Sequence, residues 1–149
     1  MVALYNKEGE LLLQRRKHDL FSNKWDLTGA SHPLRLKSRN ESYAEGAARC
    51  VKTEFDVSGV SFRKIGAFNY FAPQGKKCEN EHCAVVVGKY DGDVKPNHQV
   101  AYGFKWATLG ETLKEIRKKP ESFVMWARLG AKVIRSHRLG KRLLALDRS

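Results

Sequence analysis

Glu79 and Glu81 stand two residues apart in Cys78-Glu-Asn-Glu-His-Cys83, just ahead of the apolar run Ala84-Val-Val-Val87. On an extended chain alternate side chains point the same way, so both carboxylates face one side. Two parallel carboxylates repel unless something cationic sits between them. The pair is therefore either a strand end solvated by water or a divalent metal site shared with His32. Mg²⁺ is the ion that oxygen ligands suit, with Mn²⁺ or Zn²⁺ as alternatives. A structural zinc on Cys78, His82 and Cys83 is a further reading, but no second pair is present to complete a tetrahedron, and His82 alternates away from Glu81. Arg15 and Arg16 close an earlier apolar run. They are either a solvated strand end or a phosphate clamp, since the guanidinium fork matches phosphate oxygens.

These residues need elements to carry them. Val2 to Tyr5 and Leu11 to Arg15 read as strands around the turn Asn6-Lys7-Glu8-Gly9. Lys17 to Lys24 reads as a polar loop, and Trp25 to Ala30 as a strand delivering His32 and Pro33 to a second loop that carries Arg35, Lys37 and Arg39. A helix is expected to start near Asn40, whose side chain can cap free N–H groups, and such a start favours anions. Tyr43, Ala47, Val51 and Phe55 recur every four residues as its core stripe. Cys50, Thr53 and Glu54 are expected on a polar face, with Arg49 turned toward the preceding loop. Val60 to Phe62 and Ala67 to Ala72 read as strands, Pro73-Gln74-Gly75 and Asp91-Gly92-Asp93 as turns, and Tyr102 to Ala107 as a strand with Trp106 in the core. Thr108 and Glu111 have capping-box spacing before a helix with Leu109, Leu113 and Ile116 on one side, which Pro120 ends. From Ser122 the rest reads helical, its apolar side being Phe123, Trp126, Ala127, Gly130 and Val133–Ile134.

The 149 residues suit one domain, 1–149, and 42% hydrophobic with 30% charged residues is a globular balance. No apolar run approaches a membrane span, and the first residues lack a signal peptide's basic start and apolar core, so no membrane partner and a cytoplasmic location are expected. Three cysteines do not make a disulfide scaffold. The net charge of +12 draws polyanions, whether nucleic acid or phosphorylated metabolites. Seven Lys/Arg against two acids over residues 121–149 would suit nucleic acid, but no aromatic follows Trp126 to stack on bases, so no motif supports that partner.

The loop and helix from Arg35 to Val57 resemble a degenerate Nudix box, G-x5-E-x7-R-E-U-x-E-E-x-G-U, where U is a bulky aliphatic residue. Glu41, Arg49, Val51, Glu54 and Val57 match it; Arg35 and Asp56 stand at the glycine positions, and Cys50 and Thr53 at two carboxylate positions. Together with Ser31-His-Pro-Leu34 and Glu79-Asn-Glu81, the pattern resembles the type 1 isopentenyl-diphosphate isomerase branch of that superfamily from about Ala3 to Ile134. The resemblance implies an α/β fold, a Nudix-type α/β/α sandwich with a mixed sheet. It implies a small-molecule diphosphate as ligand and a divalent cation held by His32, Glu54, Glu79 and Glu81. Arg16, and less directly Arg49, would bind the diphosphate.

The family's reaction moves a double bond by one carbon, adding a proton at the terminal methylene and removing another from C2. It requires an acid, a base on the opposite face and a group that stabilises cationic charge without attacking it, which an indole face can do. The resemblance assigns these roles to Glu81, supported by Tyr70, and to Trp126. It departs at Ala30, where the family carries its catalytic cysteine; alanine has no proton to exchange. Weak or absent isomerase turnover is therefore expected. Two of the family's three metal-binding histidines lie upstream of the first strand, where this chain begins, so either a segment precedes Met1 or the site is thinner. A Nudix hydrolase using Glu41, Glu54, Glu79 and Glu81, and a non-catalytic binder of nucleic acid or a phosphorylated ligand, are the alternatives.

Overall fold

A computed structural model describes residues 1–147. Its six strands are β1 (Val2–Tyr5), β2 (Glu10–Arg16), β3 (Trp25–Asp26), β4 (Phe62–Gln74), β5 (Lys77–Lys89) and β6 (Ala101–Thr108). The helices are α1 (Tyr43–Phe55), α2 (Leu109–Lys118), α3 (Met125–Ser136) and α4 (Arg138–Leu146), with a 3₁₀ turn at Pro120–Ser122. The sheet is mixed: β1 runs parallel to β5, while β1–β2, β2–β3, β2–β6 and β4–β5 are antiparallel.

Strand alternation sorts the core into two layers. Val2, Leu4, Leu12, Ala84 and Val86 meet α1 through Ala47, Val51 and Phe55. Ala3, Leu11, Leu13, Cys83, Val85 and Val87 face the opposite way, onto α3 and α4 through Trp126, Ala127, Ala131, Ile134 and Leu143. Sheets covered on both faces read as near-continuous apolar runs, which explains Leu11-Leu-Leu13 and Ala84-Val-Val-Val87. Full burial of Val51 and Phe55 contributes roughly 1.5–3 kcal/mol each. The result is the expected α/β/α sandwich. Among the described residues no helix is long and apolar enough to cross a membrane.

Several boundaries differ from expectation. Helix α1 is capped by Ser42, not Asn40: Ser42 accepts from the Glu45 N–H while the Glu45 carboxylate accepts from the Ser42 N–H. This reciprocal bonding satisfies two helix-end donors at once. Tyr43 is exposed, and Cys50, expected on a polar face, is buried together with Gly46. The predicted strand Trp25–Ala30 pairs with β2 only at Trp25–Asp26; Gly29 then bridges Val2. A Cβ at Gly29 would sit 2.9 Å from Glu54 Oε2, so only glycine lets the backbone pass so close to α1.

The two short strands expected at 60–62 and 67–72 are one strand, β4, with a bulge between Lys64 and Gly66. Pro73 lies inside it, tolerated because β4 is at the sheet edge. The hairpin turn is Gly75-Lys76, with Gly75 at φ +59°. Thr108 and Glu111 form the predicted capping box. The C-terminal helical run breaks at His137, whose backbone is extended and whose Nδ1 accepts from the Leu139 N–H to start α4. Residues 148 and 149, also expected helical, lie outside the described residues.

Candidate active site

A cavity of about 200 Å³ opens at the end of the sheet where β2, β3 and the β4–β5 hairpin meet the loop after β3. Strand register explains who reaches it. Tyr70 pairs with Glu81 and Ala72 with Glu79 across β4 and β5, and directly opposed residues share a face. That face carries Tyr70, Ala72 and Cys83 into the α3 layer. Both carboxylates therefore stand on the same side as Trp126, which projects from the first turn of α3.

His32 reaches the carboxylates from the opposite wall. Its Nε2 is 2.5 Å from Glu81 Oε1, and the Tyr70 hydroxyl donates to Glu81 Oε2 at 3.3 Å. The imidazole side chain is 81% exposed and that of Glu81 28%, so the contact sits at the mouth of the cavity. Burial pushes Glu81 upward, but hydrogen bonds from His32 and Glu79 outweigh it and leave the carboxyl below its ordinary range. Burial, then the hydrogen bond to Glu81 and its charge, push Glu79 the other way. The two neighbouring carboxyls are thus pushed in opposite directions, as close acids are. Tyr70 is raised by burial and by the two glutamates, so it remains a phenol and a donor.

The floor is a buried charge cluster. Asp26 is fully buried; its Oδ2 accepts from Arg16 Nη1 at 3.2 Å and from Trp126 Nε1 at 2.8 Å. Burial raises the Asp26 carboxyl, opposed by the Arg16 charge. The register with β6 shifts between Arg15 and Arg16, where Tyr102 is the extra residue of β6. Arg16 alternates with the exposed Arg15, and its Nη1 reaches the Asp26 carboxylate, whose residue stands directly opposite Gln14 across β2 and β3. Its guanidinium lies 5.0 Å from the centre of the indole ring, which Tyr70 and Phe21 flank at 5.6 and 5.3 Å. Phe21 holds a positive φ of 56°, uncommon for a bulky residue and held here by packing of its ring.

The loop bearing His32 is tied down by Arg49. Arg49 bonds Glu41 through Nε and Nη2 (3.0 and 2.8 Å), Ser31 Oγ through Nη1 (3.1 Å) and the His32 carbonyl through Nη2 (2.8 Å). Glu41 in turn accepts from the Leu34 N–H. The Arg49 side chain thus faces the loop, as expected, and acts by positioning His32; it does not line the cavity. Glu54 does not line it either. Its carboxylate accepts from Gln14 Nε2 at 2.6 Å and from Cys50 Sγ at 3.4 Å, and burial raises its pKa. The structure therefore brings together Arg16, His32, Tyr70, Glu79, Glu81 and Trp126, with Ala30 in the wall, and keeps Arg49 and Glu54 apart from them.

The donor set of one imidazole and two carboxylates suits a divalent cation of the Mg²⁺ or Mn²⁺ type. Among the described residues no group of three or more His, Cys, Asp or Glu side chains forms a ready-made cage. The zinc alternative is not assembled: Cys78 is exposed, Cys83 is buried in the α3 layer, and His82 Nδ1 pairs with Asn69. Asp26, buried beneath the cavity, and His18, in its lining, carry no local signal of a site. Asp26 lay in a strand whose pairing is only two residues long. His18 lay in a stretch read as a polar loop, two residues from Arg16.

No family model matches the chain. Isopentenyl-diphosphate Delta-isomerase 2 of Aromatoleum aromaticum is 30% identical over 128 residues, 84% of this chain. The chain spans 65% of that relative's length. A Deinococcus radiodurans protein of known structure superposes with a TM-score of 0.66 at 24% identity, covering 89% of this chain and 79% of its own. The Nudix domain of Shewanella oneidensis NrtR, solved with ADP-ribose, gives a TM-score of 0.65 at 13% identity over 91% of this chain and 83% of its own. The fold is the Nudix fold. In sequence the chain resembles the isopentenyl-diphosphate isomerases.

Proposed function

We propose that this protein binds a small-molecule diphosphate of the isoprenoid class together with a divalent cation, at the cavity walled by His32, Glu79, Glu81, Tyr70, Trp126 and Ala30. The observation that carries the reading is the meeting of His32 with Glu81 beside Glu79, 49 residues away in sequence from the histidine and next to an indole ring. His32, Glu79 and Glu81 would hold the cation, which would supply positive charge for the diphosphate oxygens. The phenol of Tyr70 holds one Glu81 oxygen and so fixes the direction of the other. Arg16 offers a cation at the cavity floor, neutralised in part by Asp26. The Trp126 ring, edged by Phe21 and Tyr70, gives an apolar wall that does not react with electron-poor carbon.

Ala30 stands in the wall where the isomerases carry a cysteine, so the second proton-transfer group is absent and double-bond migration is slow or lost. A hydrolase reading needs Glu41 and Glu54 as cation ligands. Glu41 is bound by Arg49 and the Leu34 N–H, and Glu54 by Gln14 and Cys50, so the geometry supports it less. Isopentenyl diphosphate in D₂O with Mg²⁺ is the test. Binding with little deuterium incorporation, and a gain of incorporation in Ala30→Cys, is expected. Incorporation at the rate of an ordinary isomerase by the unaltered chain contradicts the role given to Ala30, and metal-dependent phosphate release would favour the hydrolase.

A further inference from the structure

His18 lies in the turn following β2, two residues beyond Arg16, and lines the same cavity as His32, Glu81 and Trp126. Its Nε2 is buried and has no hydrogen-bond partner in the protein, and the same is true of Arg16 Nε. Buried polar atoms are paired in the great majority of cases, and an unpaired one carries a desolvation penalty that a ligand atom can remove. The two nitrogens belong to neighbouring residues of one chain segment, and both residues line one cavity.

Arg16 already commits its Nη1 to Asp26, while its Nε remains unpartnered. Burial, and after it the nearby Arg16 guanidinium, lowers the His18 imidazole from its ordinary value and favours its neutral form. A neutral imidazole carries one N–H, and next to a cation the favourable arrangement is for that N–H to point at an acceptor or anion.

We propose that His18 is a ligand-binding residue: its Nε2–H donates to a phosphate oxygen of the bound diphosphate, and Arg16 Nε donates to the same group. This rests on the diphosphate reading of the cavity and adds to it a recognition residue that the Nudix box and the Glu-Asn-Glu segment do not contain. A hydrogen bond to a charged acceptor exceeds one between neutral groups, so its loss is expected to weaken binding by about tenfold or more.

The test measures binding of inorganic pyrophosphate, at fixed Mg²⁺, to the full chain and to the variants His18→Phe and His18→Gln. Phenylalanine fills the space without a donor; glutamine can place an amide N–H near the Nε2 position. Expected is a loss of about tenfold or more for His18→Phe and recovery to within about threefold for His18→Gln. Equal affinity of His18→Phe and the unaltered chain overturns the role of His18 and leaves the diphosphate reading standing. Failure of the unaltered chain to bind pyrophosphate overturns both. Should His18→Phe not fold, the imidazole nitrogen resonances of the unaltered chain decide. A shift of Nε2 on adding pyrophosphate is expected, and an unmoved resonance under saturating ligand contradicts the proposal.

Discussion

Two polar clusters lie on opposite sides of the strand end formed by β2, and they differ in almost every physical respect. On the α3 side, Glu79 and Glu81 sit at an open cavity, have their carboxyls pushed in opposite directions and face an exposed imidazole. On the α1 side, Glu54 is bonded by Gln14, which is fully buried, and by the thiol of Cys50. The first cluster has charge to spare and room for a ligand. The second is closed by side-chain amide and thiol donors, with Gly29 as its roof. The Nudix-box helix in this chain thus serves mainly to hold the sheet and, through Arg49, the loop of His32. The candidate chemistry lies on the hairpin β4–β5 and the two loops around it.

The largest expected effect comes from the floor that joins the clusters. Asp26→Ala leaves the Arg16 guanidinium buried without its partner and Trp126 Nε1 without an acceptor. A loss of about 3–5 kcal/mol in urea unfolding is expected. A loss under about 1 kcal/mol would mean that Arg16 relaxes into solvent and that the floor is not a fixed part of the cavity.

Arg49→Ala removes four hydrogen bonds that hold the His32 loop. Diphosphate affinity should fall by about tenfold, and Arg49→Lys should not restore it, because an ammonium cannot reach Glu41, Ser31 and the His32 carbonyl in one geometry. Full rescue by lysine would point to a simple charge effect instead.

Glu54→Gln tests the closed character of the α1 side through pH. Burial raises the Glu54 carboxyl above its ordinary value of 4.5, so the folded chain holds a proton that the unfolded chain releases. Its contribution to stability is therefore complete below 4.5 and falls as pH rises from there toward the folded-state value. The variant should gain on the unaltered protein in denaturant midpoint as pH rises above 4.5. A gap that does not change with pH would mean that Glu54 titrates as if exposed. The smallest effect is expected at Ser42→Ala, where loss of the α1 cap costs about 1 kcal/mol with no change in ligand affinity.

Regular periodicity was the legible part. Alternation in Glu79-x-Glu81 and the apolar runs of β2 and β5 read directly as a two-faced sheet, and the Thr108–Glu111 spacing as a helix start. What stayed hidden was whatever breaks periodicity or depends on distant partners. The β-bulge at Tyr102, where β6 passes Arg15 and Arg16, has no local pattern that announces it. Cys50 and Glu54 look like a polar face on a helical wheel, yet the fully buried Gln14 of β2 arrives to pair with Glu54 and draws that face inward. Asp26 is a lone acid in a short strand, and its meaning comes from Trp126, 100 residues later. Tyr43 has the right spacing for the core stripe but falls in the first turn of α1, where it is exposed at the cavity edge with the Lys64 ammonium over its ring.

The comparison of the two clusters is tested most directly by titrating Mn²⁺ into the unaltered chain, Glu81→Gln and Glu54→Gln while monitoring its electron paramagnetic resonance signal. The account predicts one bound ion per chain, retained in Glu54→Gln and weakened by about a hundredfold or more in Glu81→Gln. Binding that survives Glu81→Gln and disappears in Glu54→Gln would contradict it, placing the cation on the α1 side of the sheet.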